Sequence, residues 1–335
     1  MKILVTGCAG FIGFHLTKAL IKKKNIVVGI DSLNSYYSKS LKISRLRILK
    51  KNKNKFFFFK KNLININEIE KIFKRHKFEV IIHLAAQPGV RYSLINPRAY
   101  IDNNIVAFFN ILHLSKNYHV KHFVYASSSS VYGANKKIPF SEKDSADHPM
   151  QFYAATKRSN ELMAYSYSSL YKIPTTGIRF FTVYGPWGRP DMALFLFTKN
   201  ILKKKPINLF NYGKHIRDFT YVDDAVGGII KIINKIPKKI LTSKVKNDEN
   251  NFAPYRIVNI GSSKKIKLID YIKAIELALK TKAIKNLLPK QKGDMNVTFS
   301  DTSLINKLTN YKSKIKINEG VKNFTKWFVK YYKYK

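Results

Sequence analysis

With 335 residues, the chain is long enough to bury the core of one large or two modest domains. Its single Cys excludes an intrachain disulfide, and no stretch approaches the roughly 20 apolar residues that cross a bilayer, so we expect a cytoplasmic protein with no membrane partner. The formal net charge of +42 comes mostly from Lys spread along the whole chain, without zinc-ligand spacing or a stacking-aromatic motif, so we expect neither a nucleic-acid partner nor a metal.

The chain begins with a pattern typical of a strand, a glycine turn and a helix. Residues 1–6 form a short apolar run that predicts a buried parallel strand, and residues 15–22 have the apolar spacing of a helix. Between them, the first glycine permits a tight turn, the second lets backbone N–H groups approach a pyrophosphate, and the third lets the helix lie close to the sheet. The pattern predicts a dinucleotide site that contains Gly7, Gly10, Phe11, Ile12 and Gly13.

The second predicted strand, residues 26–30, ends at Asp31. A carboxylate at this position accepts hydrogen bonds from both hydroxyls of an adenosine ribose and repels a 2′-phosphate. The sequence therefore predicts NAD, rather than NADP, as the cofactor.

Apolar runs and helical stretches alternate through the first half of the chain. Predicted strands cover residues 1–6, 26–30, 56–59, 80–84 and 123–127. Predicted helices cover residues 15–22, 41–49, 66–75, 97–117 and 152–171, and a strand at 175–180 ends the alternation. Such alternation is typical of a Rossmann-type α/β fold with a doubly wound parallel sheet.

The composition of the sequence changes after Gly185, where loops rich in Gly and Pro precede shorter predicted elements. These are a Lys- and Asn-rich loop at 237–251, a strand at 256–260, a helix at 268–279 and a last helix with Asn318 as its N-cap. We expect a NAD-binding domain over residues 1–180, to which segments around 212–260 partly return. The rest, residues 181–335, would be mainly a smaller α/β substrate domain.

Tyr153 and Lys157 lie four residues apart in a predicted helix, so both side chains can point into one pocket. A phenol ionises at about pH 10, and a fixed neighbouring cation lowers that pKa towards the working range of a general base. Ser128, in a run of serines, can hold the oxygen whose proton is removed. In a chain with 20 Tyr the spacing alone also fits an ordinary helix surface. Beside a dinucleotide site, it predicts a catalytic set of Ser128, Tyr153 and Lys157.

Several motifs resemble the extended short-chain dehydrogenase/reductase family, and within it the NAD-dependent nucleotide-sugar 4-epimerases. Besides the glycine turn and the Tyr-x-x-x-Lys pattern, they are 31–34 (Asp-Ser-Leu-Asn), 83–86 (His-Leu-Ala-Ala), 125–133 (Tyr-Ala-Ser-Ser-Ser-Ser-Val-Tyr-Gly), 179–186 (Arg-Phe-Phe-Thr-Val-Tyr-Gly-Pro), 217–224 (Arg-Asp-Phe-Thr-Tyr-Val-Asp-Asp) and 258–261 (Val-Asn-Ile-Gly). Residues 87–93 and 189–193 most resemble the UDP-glucuronate 4-epimerases.

The resemblance implies a reaction in which NAD+ takes a hydride from C4 of a UDP-sugar while Tyr153 takes the hydroxyl proton. A transient 4-keto intermediate turns over in the pocket before the hydride returns to its other face. Lys157 would also contact the nicotinamide ribose, and Ser130 would share the role of Ser128. Asn62 stands where the family commonly has Asp. The further cofactor contacts that the resemblance implies are Asn34, Asn62, Leu84, Ala85 and Ala86.

For the UDP group, the resemblance assigns Arg217 to a phosphate and Asp294 to the uridine ribose. The alternative for Arg217 is a salt bridge with Asp218 or Asp223, and the alternative for Asp294 is a turn position. The implied substrate contacts are Arg91, Ser93, Ser128, Ser130, Thr182, Arg189, Arg217 and Asp294.

An acid sugar also needs a cation near its carboxylate. Arg189 and Arg91 are the candidates, with Thr182 and Ser93 as hydrogen-bond partners. Our hypothesis is that Arg189 holds the carboxylate at an angle that discourages loss of CO2 from the 4-keto intermediate.

The residues before Val-Tyr-Gly distinguish related activities. Decarboxylases typically carry a Glu there and dehydratases an Asp-Glu pair, whereas this chain has Ser129 and Ser130. This favours conversion of UDP-glucuronate to UDP-galacturonate. The alternatives are a UDP-glucose/UDP-galactose-type 4-epimerase, a UDP-glucuronate decarboxylase and, remotely, a non-catalytic basic binding protein.

Extended members of the family usually dimerise through two helices per subunit, here residues 97–117 and 152–171. Val106, Phe109 and Leu112 would then face the partner, although the same residues also fit a core. We expect a homodimer whose product feeds cell-surface polysaccharide.

Overall fold

The computed structural model describes residues 1–238, 253–291 and 294–334. The strands in these ranges are β1 (Lys2–Thr6), β2 (Ile26–Asp31), β3 (Phe56–Lys60), β4 (Val80–His83), β5 (His122–Ser128), β6 (Thr175–Phe180), β7 (Thr182–Tyr184), β8 (Ile207–Leu209), β9 (Ile216–Arg217), β10 (Phe219–Tyr221), β11 (Tyr255–Ile260), β12 (Ile266–Lys267) and β13 (Lys285–Leu287).

Seven of these strands form one sheet in the order β11-β6-β5-β4-β1-β2-β3, and every neighbouring pair is parallel. The prediction of a Rossmann-type α/β fold is thereby confirmed. β1 pairs with β2 on one side and with β4 on the other, so the chain leaves β1 in one direction and later returns to its opposite side. A crevice opens at the carboxyl ends of these strands, which is where open α/β sheets bind ligands.

The described helices pack on the two faces of the sheet or around a separate core built after residue 180, and only some of them were predicted. The helices are α1 (Phe11–Lys22), α2 (Lys39–Lys50), α3 (Ile66–Arg75), α4 (Tyr92–Ile95), α5 (Arg98–Tyr100), α6 (Ala107–Asn117), α7 (Phe152–Tyr171), α8 (Ala193–Leu202), α9 (Val222–Ile233), α10 (Leu268–Leu279), α11 (Ser303–Thr309) and α12 (Ile317–Tyr332). α12 follows Lys316, so the prediction of Asn318 as its N-cap is wrong. None of the described helices is both long and apolar enough to cross a membrane.

The helix predicted at 97–117 is interrupted by a π-helical segment, Ile101–Val106, between α5 and α6. Asn104 explains the wider turn. Its buried amide accepts a hydrogen bond from the Gln87 backbone N–H at 2.7 Å and donates to Thr156 Oγ1 at 3.1 Å. The insertion therefore ties this segment to the loop after β4 and to α7.

Alternate side chains of the central strands enter two cores, one on each face of the sheet. Val5 and Ile82 join the cluster covered by α1 and α9, whereas Leu4 and Ile81 join the cluster covered by α3, α6 and α7. Burial of each such side chain contributes about 1.5–3 kcal/mol. The two-residue period thus explains why these strands read as continuous apolar runs.

Residues after 180 build a third core and also extend the central sheet. β7 pairs with β10, β8 with β13 and β9 with β12, while α8, α10 and α12 enclose an aromatic cluster that includes Phe324 and Phe328. β11 pairs with β6 and forms one edge of the central sheet. The division at residue 180 stays a prediction, and the predicted loop at 237–251 lies mostly outside the described residues.

Candidate active site

The glycine turn between β1 and α1 is shaped by close backbone contacts. Gly7 has φ +70°, and a Cβ there would lie 2.8 Å from the backbone nitrogen of Ala85. A Cβ on Gly13 would lie 2.1 Å from the Gly7 carbonyl oxygen. Side chains at these positions would push apart the backbone segments that form the turn, and this close-packed turn fits a dinucleotide.

A cavity of about 410 Å³ opens from this turn along the carboxyl ends of the strands. The structure brings every predicted cofactor residue to its wall. These residues are Gly7, Gly10, Phe11, Ile12, Gly13, Asp31, Asn34, Asn62, Leu84, Ala85, Ala86, Tyr153 and Lys157.

Asp31 joins the glycine turn to the loop after β2. Its Oδ2 accepts a hydrogen bond from the Ala9 N–H at 3.1 Å, and its Oδ1 accepts one from the Leu33 N–H at 2.8 Å. Lys42, which sequence reasoning missed, donates to the Asn34 backbone oxygen at 2.9 Å and to its Oδ1 at 2.7 Å. These bonds fix the wall where we expect the adenosine ribose.

The three predicted catalytic residues line the same cavity. Ser128 ends β5, and Tyr153 and Lys157 occupy the first turns of α7. Lys157 is 2% exposed, and its Nζ donates to the Ala126 carbonyl at 2.9 Å. Burial lowers the pKa of this ammonium to about 8, although the charge of Glu161 opposes that shift.

The pKa of the Tyr153 phenol depends on burial and on two neighbouring side chains. Burial raises the pKa of its phenol, while a hydrogen bond with Ser128 and the charge of Arg189 lower it. The Lys157 ammonium donates to a backbone carbonyl, and a lowering of this pKa by Lys157 stays a prediction. Arg189 is the cation that favours the phenolate here.

A buried ion pair, which sequence reasoning also missed, lies one helical turn beyond Lys157. Glu161 is 1% exposed and accepts from Arg179 Nε at 2.9 Å, from Arg179 Nη2 at 2.8 Å and from Ser127 Oγ at 2.6 Å. The charge and hydrogen bonds of Arg179 keep the pKa of Glu161 low despite the opposing effect of burial. The i, i+4 spacing from Lys157 was the available signal.

A second cavity of about 580 Å³ adjoins the first, and both are lined by Val90, Ser129, Ser130 and Thr182. Five predicted substrate residues lie on its wall. They are Arg91, Ser130, Thr182, Arg217 and Asp294. The shared residues join the cofactor cavity to a space where a second ligand fits.

Two of the predicted substrate residues in this second cavity pair with each other. Arg217 Nη2 donates to Asp294 Oδ1 at 2.9 Å, and His215 Nε2 lies 3.1 Å from Asp294 Oδ2. Neither alternative partner pairs with Arg217 here, because Asp218 accepts from Ser262 and Asp223 lies 3.7 Å from His15 Nδ1. The Asp294 N–H donates to the Gln291 carbonyl at 3.3 Å, and Asp294 also lines the second cavity.

The structure does not bring Ser93 to the wall of either cavity, and its contact with the substrate stays a prediction. Ser93 is 2% exposed, lines neither cavity, and its hydroxyl donates to the Val90 carbonyl at 2.6 Å. The short helix α4 turns this side chain inward. Arg91, in contrast, lines the second cavity with its guanidinium 4.7 Å from the centre of the Phe210 ring.

Arg189 lines the first cavity, and its charge is already paired. Its Nε donates to Asp191 Oδ1 at 3.0 Å and its Nη2 to Asp191 Oδ2 at 2.5 Å. The Tyr36 hydroxyl donates to the same Oδ2 at 3.2 Å. Asp191 and Tyr36 were not predicted, although the spacing Arg-x-Asp was visible in the sequence.

Comparisons with known proteins agree with this geometry. The family model described as the NAD dependent epimerase/dehydratase family matches residues 3–261. Protein CapI of Staphylococcus aureus is 49% identical over 335 residues, which cover 99% of this chain and 100% of that protein. A probable UDP-glucuronate 4-epimerase of Rhizobium meliloti (strain 1021) is 46% identical over 336 residues, which cover 99% of this chain and 98% of that protein.

Among solved structures, UDP-glucuronic acid 4-epimerase from Bacillus cereus, in complex with UDP-glucuronic acid and NAD, superposes with a TM-score of 0.87. It is 32% identical, and the match covers 99% of this chain and 100% of that chain. Together with the glycine turn and the Ser-Tyr-Lys set, these matches show that the chain belongs to the NAD-dependent epimerase/dehydratase family.

Proposed function

We propose that this protein converts UDP-glucuronate to UDP-galacturonate by NAD-dependent epimerisation at C4, through a transient 4-keto sugar. The observation that carries the proposal is the meeting of Ser128, Tyr153 and Lys157 on the wall of a dinucleotide cavity that adjoins a second cavity. The names of the Rhizobium and Bacillus relatives support the choice of sugar.

Bound NAD supplies the acceptor and donor of the C4 hydride, and the residues of the chain handle the proton and the orientation of the sugar. Tyr153 takes the proton of the C4 hydroxyl and returns it to the new hydroxyl. Ser128 holds the reacting oxygen, and Lys157 and Arg189 provide positive charge on the cavity wall. Proton transfer by such a positioned group contributes about 10²- to 10⁴-fold to a rate.

The residues that line the two cavities favour epimerisation over decarboxylation and dehydration. Ser129 and Ser130 line both cavities, and no carboxylate stands at either position to remove the C5 proton. Of the acids on the two walls, Asp31 is bonded to the backbone near the glycine turn and Asp294 is paired with Arg217. A simple return of the hydride is therefore the favoured outcome.

Arg189 supports an acidic sugar. Its charge lowers the pKa of Tyr153, and it lines the same cavity as Thr182. We propose that the substrate carboxylate binds between these two residues, and that Arg217, Asp294, Arg91 and Ser130 contact the rest of the nucleotide sugar in the second cavity.

The direct test is to incubate the purified protein with UDP-glucuronate and to separate the products by chromatography. UDP-galacturonate is the expected product. Release of CO2 with formation of UDP-xylose would instead support a decarboxylase, and turnover of UDP-glucose but not UDP-glucuronate would support a UDP-glucose/UDP-galactose-type epimerase.

We also propose a homodimer that forms through α6 and α7. Leu162 is 56% exposed, Leu170 68% and Phe109 40%, so these helices present apolar side chains to solvent, whereas Leu112 is buried in the core. Light scattering measures the expected doubled mass. A cytoplasmic location and a role in cell-surface polysaccharide stay predictions.

A further inference from the structure

Asp191 occupies one edge of the Arg189 guanidinium. The two bonds described above engage Nε and Nη2, which leaves the Nη1 end outside this pair. The two side chains are 21% and 30% exposed, so solvent screens their charges only in part. Arg189 is therefore already paired with the Asp191 carboxylate when a second carboxylate, from a ligand, reaches it.

Contacts with other loops fix the position of Asp191. Tyr36, from the loop after β2, donates to its Oδ2, and the Tyr36 ring packs 5.0 Å from the ring of Tyr92. A Cβ on Gly89, after β4, would lie 2.4 Å from the Tyr36 hydroxyl and 3.8 Å from Asp191 Oδ2. Loops after β2, β4 and β7 thus converge on this one carboxylate.

The proposed reaction gives this carboxylate a task. The 4-keto sugar must turn so that its opposite face meets the hydride donor, and the carboxylate on C5 moves with the ring. A carboxylate bound by a lone guanidinium would leave a partly buried, unpaired cation each time it departed, which is unfavourable. A second carboxylate on the same guanidinium removes that cost and also weakens the hold on the first, because like charges repel.

We propose that Asp191 is a positioning residue that acts as an exchangeable counter-ion of Arg189. It shares the guanidinium with the substrate carboxylate and takes back the full interaction while the keto sugar turns. Tyr36 keeps the Asp191 carboxylate in place during this exchange. This inference rests on the proposed function, since it needs a substrate that carries a carboxylate.

The test is the variant Asp191→Asn, which keeps the shape of the side chain and removes its charge. The KM for UDP-glucuronate should fall about two- to fivefold, the value of one partly exposed ion pair. The kcat should fall by a similar factor, so that kcat/KM barely changes, because the tighter hold must be released in the turn. The absorbance of enzyme-bound NADH during turnover should rise, since the keto sugar waits longer. Tyr36→Phe should shift all three quantities in the same direction by less.

The matched control is Asp102→Asn. Asp102 is also 30% exposed and pairs with an arginine, Arg98, at 3.0 Å, but it lines neither cavity. It should leave KM, kcat and NADH absorbance unchanged. A raised KM without more NADH in both Asp191→Asn and Tyr36→Phe would overturn the proposal and reduce Asp191 to a support for the Arg189 side chain.

Calorimetric binding separates this inference from the proposed function. Asp191→Asn should tighten UDP-glucuronate relative to UDP-glucose, and an unchanged ratio of the two affinities would also overturn the counter-ion role. If the wild-type protein failed to epimerise UDP-glucuronate, the proposed function would fall, whereas this affinity ratio would still report on Asp191.

Discussion

The glycine turn and the walls that we assign to the sugar nucleotide are built by different means. Around the glycine turn, backbone atoms touch backbone atoms, and the positions of Gly7 and Gly13 leave no room for a Cβ. On the walls that we assign to the sugar nucleotide, charged side chains face each other, as Arg217 does with Asp294 and Arg189 with Asp191. Close backbone packing determines the shape of the first region, and ion pairs between side chains determine the second.

This difference predicts how each region responds to a ligand and to mutation. A cradle of backbone contacts has its shape before anything binds, so changes there act sterically and abruptly. A paired arginine can exchange its partner for a phosphate or a carboxylate, because its charge stays compensated throughout. Substitutions of these charged side chains should therefore change ligand affinity by graded amounts, and the effect should depend on ionic strength.

The largest effect is expected where neither backbone shape nor ion pairing supplies the chemistry. Tyr153→Phe removes the proton acceptor and should lower kcat by about 10²- to 10⁴-fold while NAD stays bound. Steady-state kinetics, together with the NAD content of the purified variant, measures this. Tyr311→Phe, which removes a buried hydroxyl bonded to Gly261 outside both cavities, is the control. Near-normal turnover in Tyr153→Phe would exclude Tyr153 as the base.

The backbone-built region is tested by Gly13→Ala. The new Cβ would lie 2.1 Å from the Gly7 carbonyl oxygen, and we expect NAD affinity to fall by about a hundredfold, the upper range of overpacking costs. Titration of NAD into the variant measures the change. Gly227→Ala, on α9 with no atom within 4 Å of its added Cβ, should bind NAD normally and unfold at a higher temperature. Equal behaviour of the two variants would contradict the steric account.

The charge-built region is tested by Arg217→Lys. A lysine keeps the charge but loses the planar fork, so we expect the KM for the UDP-sugar to rise about tenfold while NAD binding stays unchanged. Kinetics at two ionic strengths measures this. Arg98→Lys, at an exposed ion pair outside both cavities, should have no effect. A loss of NAD binding in Arg217→Lys would show that the two regions are not separable.

The smallest expected effect is the pH dependence set by Lys157. Burial lowers its pKa to about 8, so the ammonium is charged below that pH and loses its proton as the pH rises through it. The positive charge on the cavity wall then disappears, and kcat/KM should fall on the alkaline side. In Lys157→Arg the residual activity should lack this limb, because a guanidinium stays charged. An unchanged limb would assign it to another group.

Local sequence patterns were sufficient to predict most of the fold and the position of the candidate cofactor site. The apolar period gave α3, α7 and α10 with their observed bounds, and the glycine spacing located the turn before α1. These features depend on residues close together in the chain. The π-helical segment at Ile101–Val106 was missed because its cause, the Asn104 amide, bonds to distant residues.

The substrate side was less predictable, because its side chains find partners far along the chain. Arg217 and Asp294 were each named, but their mutual ion pair spans 77 residues and follows no period. Tyr36 and Asp191 are 155 residues apart. Ser93 does not reach either cavity, because the direction of its side chain depends on the turn into α4, which the sequence pattern did not predict.

The pairing of β11 with β6 has a consequence for synthesis of the chain. Every residue of β6 is buried, and its outer edge is covered by a strand that ends at Ile260. During synthesis, the ribosome therefore completes the segment up to β6 long before β11 emerges. Until then, the nascent sheet exposes an apolar, unpaired edge along β6. Fragments that stop near residue 180 should aggregate, whereas those that extend past 260 retain the closing strand.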